Sequence, residues 1–250
     1  MHGFQGRNIF MKLKKVFQRK ETKYLIAKEQ FPAFLAELQQ RMAIDEYGQH
    51  TIMSLYYDTH DYRFIRHSMD KPKYKEKFRV RSYGIPTEQQ LIFLEIKKKV
   101  NGVVYKRRIP LPYADYCGWL QTGVLPSMAE APQIAAEIHW LFKQNPDLLP
   151  KVLIAYDRLS LFIDDDSEFR VTFDQNIRFR TYDLMFGSGS EGALVAPEIG
   201  VLMEVKALGA YPLWFVELLN KYSVRKGSFS KYAQTYQRHL FKKEEWLHVI

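Results

Sequence analysis

The 250 residues include 46% hydrophobic and 26% charged side chains and carry a formal net charge of +9, a balance that excludes a disordered chain and allows one extended domain or two. The basic surplus favours an anionic partner without separating nucleic acid, phosphate and membrane. The single cysteine, Cys117, excludes an internal disulfide framework and a cysteine-rich zinc site and fits a reducing, cytoplasmic setting, while no apolar run approaches a membrane span and the amino terminus lacks a signal-peptide core.

Residues 1–11 lack periodicity and read as an extension; 12–240 read as one domain and 241–250 as a tail. Lys12 to Ile26 is a first strand that places Glu21 and Lys23 on one face. From Lys28 to Met42, Phe31, Phe34, Leu35 and Leu38 recur at helical spacing, with Pro32 in an early turn, so a helix is expected to pack outside the sheet. Thr51 to Asp58 is a strand rich in aromatic and β-branched residues, and Asp58 or Thr59 is placed to cap a short helix after it. His60 and His67 stand seven apart without a ligand frame and are read as surface or structural residues.

Lys75 to Arg108 is the organising stretch. Lys77, Arg79 and Arg81 alternate with Phe78, Val80 and Ser82; Glu95, Lys97 and Lys99 oppose Leu94 and Ile96; Lys106 and Arg108 share a third face. Gly84-Ile85-Pro86 and Asn101-Gly102 supply the turns, the latter a strong hairpin signal. A solvated outer face accounts for one charged strand face more readily than for a repeated series.

Pro110 and Pro112 interrupt the strand pattern, and Ala129 to Phe142 is a helix with Ile134, Ile138, Leu141 and Phe142 on one side. Lys151 to Phe162 is an apolar strand carrying Arg158; in the next strand Arg170, Thr172 and Asp174 alternate with Val171 and Phe173. Asp164 to Asp166 lacks the spacing of a calcium loop, and Gly187 to Gly192 lacks the ending and context of a P-loop, leaving a solvated turn and a mobile loop at a cavity mouth. Val201 to Ala207 carries Glu204 and Lys206 on one face. After a helix over Pro212 to Tyr222, Ser230 is placed to cap a terminal helix, and Lys231 in its first turn is best explained by a facing anion. Closed into a barrel, these strands would enclose a cationic cavity with a few carboxylates.

RKETKYLI (19–26), SLYYDTHDYRFI (54–65), KFRVRSYG (77–84), FLEIKKK (93–99), YKRRIPL (105–111), AYDRLSLF (155–162), FRVTFD (169–174), LMEVKA (202–207) and FSKY (229–232) together resemble the VTC domain, the polyphosphate polymerase branch of the triphosphate tunnel enzymes. The resemblance implies an α+β fold built on a closed, mostly antiparallel β-barrel with outer and terminal helices. It further implies a triphosphate end gripped by Lys23, Arg79, Arg81, Lys97, Arg108, Arg158 and Lys231, with Arg107 the alternative to Arg108. Glu204 takes the metal role, for Mn²⁺ or Mg²⁺; Glu21, Glu95 and Lys206 become further lumen residues, and the strand faces add Lys77, Lys106 and Arg170. One departure is Arg19, which stands where the neighbouring CYTH branch has the first acid of Glu-x-Glu-x-Lys.

The function implied is transfer of the γ-phosphoryl group of ATP to growing inorganic polyphosphate. The alternatives are metal-dependent hydrolysis of tripolyphosphate or a nucleoside triphosphate, and non-catalytic polyanion binding. Nucleic acid is not expected as a partner, because RNA reading favours outward stacking aromatics over enclosed cations. A membrane partner and the oligomeric state stay open.

Overall fold

Alternating apolar and charged residues build one ten-stranded sheet in which every pairing is antiparallel. The computed structural model describes residues 19–128, 130–163 and 166–241. The expectations for 1–11, for Lys12 to Gln18, for Asp164 and Asp165 and for 242–250 lie outside these residues. The strands are β1 (Arg19–Ile26), β2 (Ala43–Ile44), β3 (His50–Asp58), β4 (Tyr74–Tyr83), β5 (Leu91–Val100), β6 (Val103–Pro112), β7 (Leu149–Ile163), β8 (Asp166–Arg180), β9 (Ala193–Leu194) and β10 (Val201–Leu208). Asn101 and Gly102, both at positive φ, close the β5–β6 hairpin as their dipeptide predicts.

The expected closed barrel is not formed. The sheet order runs β1-β10-β8-β7-β3-β4-β5-β6, with β2 on β7 and β9 on β8, so β1 and β6 are free edges. The sheet nevertheless curls, because Glu21 and Lys23 of β1 and Lys106 and Arg108 of β6 line one cavity. Alternation assigns faces to each strand but does not say which edges meet.

The convex face is buried in two parts. Over β3 to β6, Leu55, Phe78, Leu94, Ile96 and Ile109 pack beneath α3 (Tyr113–Thr122) and α4 (Pro132–Gln144). Over β1, β10 and β8, Tyr24, Met203, Val205, Val171 and Phe173 pack with α1 (Phe31–Leu38) and α5 (Leu213–Lys221). The helix anticipated over 28–42 is shorter, but its expected apolar face is correct: Phe31, Phe34 and Leu38 are buried.

The concave face is filled in its middle by the chain's end. Ile52 and Tyr56 of β3 and Ile154 and Tyr156 of β7 form a third apolar cluster with Ile65, Phe229, Tyr232 and Tyr236. Ile65 belongs to α2 (Arg63–Met69), Tyr232 to α6 (Lys231–Thr235), and Tyr236 to the π-helical turn after it. Asp58, with no exposed surface, accepts from the backbone N–H groups of Thr59, Phe64 and Ile65 at 2.9, 2.8 and 3.0 Å, and Thr59 Oγ1 accepts from Arg63 N at 2.9 Å. Asp58 and Thr59, the two alternatives for capping α2, thus both accept from N–H groups of its first turn, although the N-cap position itself is held by Tyr62 at φ 60°.

Candidate functional site

Strand register assembles the charges into ladders. Across β4, β5 and β6, Arg79 lies opposite Glu95 and Glu95 opposite Arg108, while Lys77, Lys97 and Lys106 form the adjoining rung. Arg79 Nε donates to Glu95 Oε2 at 2.7 Å; Arg81 Nε and Arg108 Nε lie 3.8 and 3.7 Å from the same carboxylate. Burial pushes the Glu95 carboxyl up, but Arg79, Arg81 and Arg108 outweigh it and hold the pKa below the ordinary value. Arg108 Cζ also stands 3.4 Å from the centroid of the Phe93 ring. The two neighbouring arginines are placed differently: Arg108 faces the Glu95 ladder, whereas Arg107 reaches the rim with its Nε 3.4 Å from Glu137 of α4.

The facing wall comes from β1, β10, β8, β7 and α6. Lys23 lies opposite Glu204 and Glu204 opposite Thr172; Glu21, Lys206 and Arg170 form the next rung. Lys23 Nζ stands 3.0 Å from Glu204 Oε1 and also donates to the Phe229 carbonyl at 2.9 Å. Arg158 holds Asp174 with two hydrogen bonds, Nε to Oδ1 at 2.6 Å and Nη2 to Oδ2 at 2.7 Å, the fork geometry that suits guanidinium and carboxylate. Arg158 Nη2 is also 3.5 Å from Glu204 Oε2.

Lys231 closes this wall. It donates to Asp174 Oδ2, lies 3.8 Å from Glu204 Oε1 and stands 4.2 Å from the Tyr156 ring centroid. The anions that face this cation at the start of α6 are thus the chain's own carboxylates. Ser230 makes no side-chain capping bond, contrary to expectation. Burial raises the Asp174 and Glu204 carboxyls, yet Lys231 with Arg158 at Asp174, and Lys231, Lys23 and Arg158 at Glu204, outweigh it and hold both below the ordinary value.

The resulting cavity encloses about 370 Å³ and is lined by eleven Lys and Arg side chains against three Glu. Every site residue singled out in the sequence lines it except Arg170, which shares the face of Lys206 but is exposed beyond the cavity. The loop Gly187 to Gly192 is not among the lining residues either; Arg178 donates to Ser190 O at 2.7 Å and Arg180 to Glu191 O at 2.9 Å, strapping it to β8.

Three positions at the candidate site escaped the sequence reading. Asp174 shares the parity of Thr172 in an apolar strand, a signal that was visible but did not reveal its two basic partners. Asp174 is buried behind the cavity, whereas Tyr56 and Tyr156 line it. Tyr56 Oη accepts from Arg79 Nη1 at 3.0 Å, and its ring stacks on Tyr232 with centroids 4.6 Å apart. Burial pushes the Tyr56 phenol up, but the charges of Arg79, Lys77 and Arg81 outweigh it and bring it down to about 8. Burial chiefly lowers the Lys77 ammonium, to about 8. Lys77, Lys97, Lys106 and Lys206 have no carboxylate within ion-pair distance among the described residues.

Among the described residues there is no group of three or more His, Cys, Asp or Glu side chains that could hold a metal. Glu204 nevertheless offers a carboxylate oxygen, and Thr172 Oγ1, on the residue opposite in the ladder, is buried without a hydrogen-bond partner. Hard oxygen donors of this kind fit Mg²⁺ or Mn²⁺ arriving with phosphate oxygens, which usually complete such a shell, better than a cage made wholly of protein. Among the described residues no helix is long and apolar enough to cross a membrane.

Two solved structures show the same fold. A Bacillus halodurans protein described as a candidate adenylate cyclase matches with a TM-score of 0.54 at 14% identity, over 91% of this chain and 98% of that one. HpAC1 from Hippeastrum, a candidate adenylyl cyclase described as having a dominant triphosphatase activity, matches with a TM-score of 0.51 at 13% identity, over 88% and 96%. None of the curated proteins matches the chain significantly. The family model of the VTC domain matches residues 18–240. The chain therefore belongs to the VTC domain family, part of the triphosphate tunnel metalloenzyme superfamily.

Proposed function

We propose that this chain is an enzyme acting on the triphosphate end of a nucleotide or a polyphosphate, and that it cleaves the terminal phosphoanhydride with water as acceptor. The observation that carries the reading is the excess of eleven cations over three carboxylates in one cavity, with four of its lysines having no carboxylate within ion-pair distance among the described residues. Buried like charges are costly unless a ligand compensates them, and a triphosphate supplies closely spaced negative oxygens. Arg79, Arg81, Arg108 and Arg158 suit fork-like contacts, and the lysines act as point charges.

Phosphoryl transfer asks the protein mainly to align acceptor and leaving group and to neutralise the charge on the transferring phosphorus. Water adds to the terminal phosphorus, the bridging P–O bond breaks with its electrons on the leaving phosphate, and the water proton passes to solvent. Arg158 and Lys231, fixed by Asp174, are pre-aimed at developing charge and require no rearrangement to meet it. Glu204 and Thr172 would hold the divalent ion, which when bound supplies charge neutralisation on the phosphate oxygens. Lys23, 3.0 Å from Glu204 Oε1, would have to release that carboxylate for Glu204 to hold the ion, and its ammonium would then be free to turn to phosphate.

A second reading is extension of polyphosphate, with a terminal phosphate as acceptor instead of water. It is favoured by the rung Lys77, Lys97 and Lys106, which offers cationic sites on the wall opposite Glu204 for a second phosphate group. One experiment separates the two: incubation with ATP or tripolyphosphate and Mn²⁺ or Mg²⁺, followed by phosphate release and polymer sizing. Orthophosphate without long polymer supports hydrolysis, and long polymer with ADP supports extension. Absence of metal-dependent turnover on both substrates, in protein that binds them, overturns the enzymatic reading in favour of a binding module.

A further inference from the structure

We propose that the tip of the β5–β6 hairpin docks onto an anionic lipid surface. Tyr74 lies opposite Val100 and Val100 opposite Val103, forming an apolar row across three strands, with Tyr105 beside it on the same face. These four side chains are 36–53% exposed. On the same face Phe78, Ile96 and Ile109 are buried in the cluster that includes α3 and α4 residues. The sheet thus continues past its helical cover: beyond the rung of Glu76 and Lys98, which Tyr105 shares, the same face turns apolar again in solvent. Exposed contiguous apolar residues of this kind mark an interaction surface.

The charges identify the occupant. Lys71 and Lys73 precede Tyr74, and Lys75 and Lys99 lie opposite one another on the other face of the next rung. None of the four has a carboxylate within ion-pair distance among the described residues. Two of the nearby acids are engaged: Glu76 accepts from Tyr74 Oη at 2.9 Å, and Glu137 pairs with Lys98 and Arg107, so that Asp70, exposed before Lys71, is a single acid beside four lysines. Asn101 N donates to Lys73 O at 2.8 Å, tying the lysine-bearing segment to the hairpin.

Aromatic and aliphatic side chains bordered by lysines match the boundary between acyl chains and acidic headgroups. A free polyanion would engage the lysines and leave the apolar row exposed. A second copy related by a two-fold axis would bring the same lysines face to face, which disfavours that occupant. The inference does not depend on the chemistry of the cavity.

The test is flotation of the full chain with vesicles of phosphatidylcholine alone or mixed with phosphatidylserine. Binding is expected to the acidic vesicles only and to weaken as salt rises. The double variant V103E/Y105E and, separately, K73E are expected to weaken it about tenfold or more, given roughly 1 kcal/mol per basic residue near such a surface. Both variants should keep the wild-type melting temperature and turnover of soluble substrate. Failure of the wild type to bind acidic vesicles overturns the proposal. So does full binding by folded V103E/Y105E, or loss of binding on adding soluble tripolyphosphate when that variant still binds, because the cavity would then be reading the headgroups.

Discussion

Tyr232 donates its hydroxyl to Asp58 at 2.8 Å, joining the end of β3 to the first turn of α6 across 174 residues of sequence. The carboxylate sits at the centre of this junction, and burial raises its pKa above the ordinary value despite the bonds from Phe64, Tyr232, Thr59 and Ile65. Because Lys231 adjoins Tyr232, the bond also sets where the cavity's terminal cation points.

Tyr232→Phe keeps the ring that stacks on Tyr56 but leaves a buried acceptor with one partner fewer. The expected loss of stability is about 1–3 kcal/mol, measured by urea unfolding. Turnover at saturating substrate should fall more than apparent affinity, since Lys231 loses its aim while the other cations stay in place. Unchanged kcat in folded protein would make the bond purely structural.

Asp174 is expected to control metal affinity through Lys231. In Asp174→Asn the charge that holds Arg158 and Lys231 is removed, and Lys231 turns to Glu204, already 3.8 Å away. Metal then competes with a stronger internal cation, so the metal concentration giving half-maximal turnover should rise. Lys231→Ala should move that midpoint in the opposite direction while lowering maximal turnover. Metal titration of both variants, after a folding check, distinguishes these outcomes.

Lys77 and Tyr56 predict the pH dependence. Both titrate near 8 in the folded chain, well below their ordinary values. As pH rises through that value Lys77 loses its positive charge and Tyr56 gains a negative one, so affinity for tripolyphosphate should fall. Stability moves the opposite way: between the folded and unfolded pKa values the unfolded chain binds more protons, and each group's contribution rises with pH. Lys77→Arg stays charged and should flatten the binding profile. Calorimetric titration with tripolyphosphate on both sides of this pH is the measurement.

The sequence made the central strands legible because their alternation is regular and Asn101-Gly102 fixes the hairpin. It also marked Lys77, Arg79, Arg81 and Glu204 as sharing faces that a solvated sheet would not require. Closure was misjudged because faces are local and edge pairing is not: nothing in RKETKYLI or YKRRIPL encodes whether β1 reaches β6. Arg170 was included by parity alone, yet its side chain is exposed beyond the cavity that its rung partners Glu21 and Lys206 line. Asp174 was passed over because FRVTFD presents one acid in an apolar strand, and its partners Arg158 and Lys231 stand 16 and 57 residues away.

The central claim is that the concave face holds a triphosphate end together with a divalent ion at Glu204. A crystal structure with tripolyphosphate and Mn²⁺, the metal located by its anomalous scattering, tests it most directly. The account predicts manganese coordinated by Glu204 and by phosphate oxygens, phosphates against Arg79, Arg81, Arg158 and Lys231, and Lys23 turned from Glu204 toward the ligand. Manganese and phosphate bound elsewhere, with the Lys23–Glu204 pair intact and the cavity free of ligand at saturating concentration, would contradict it.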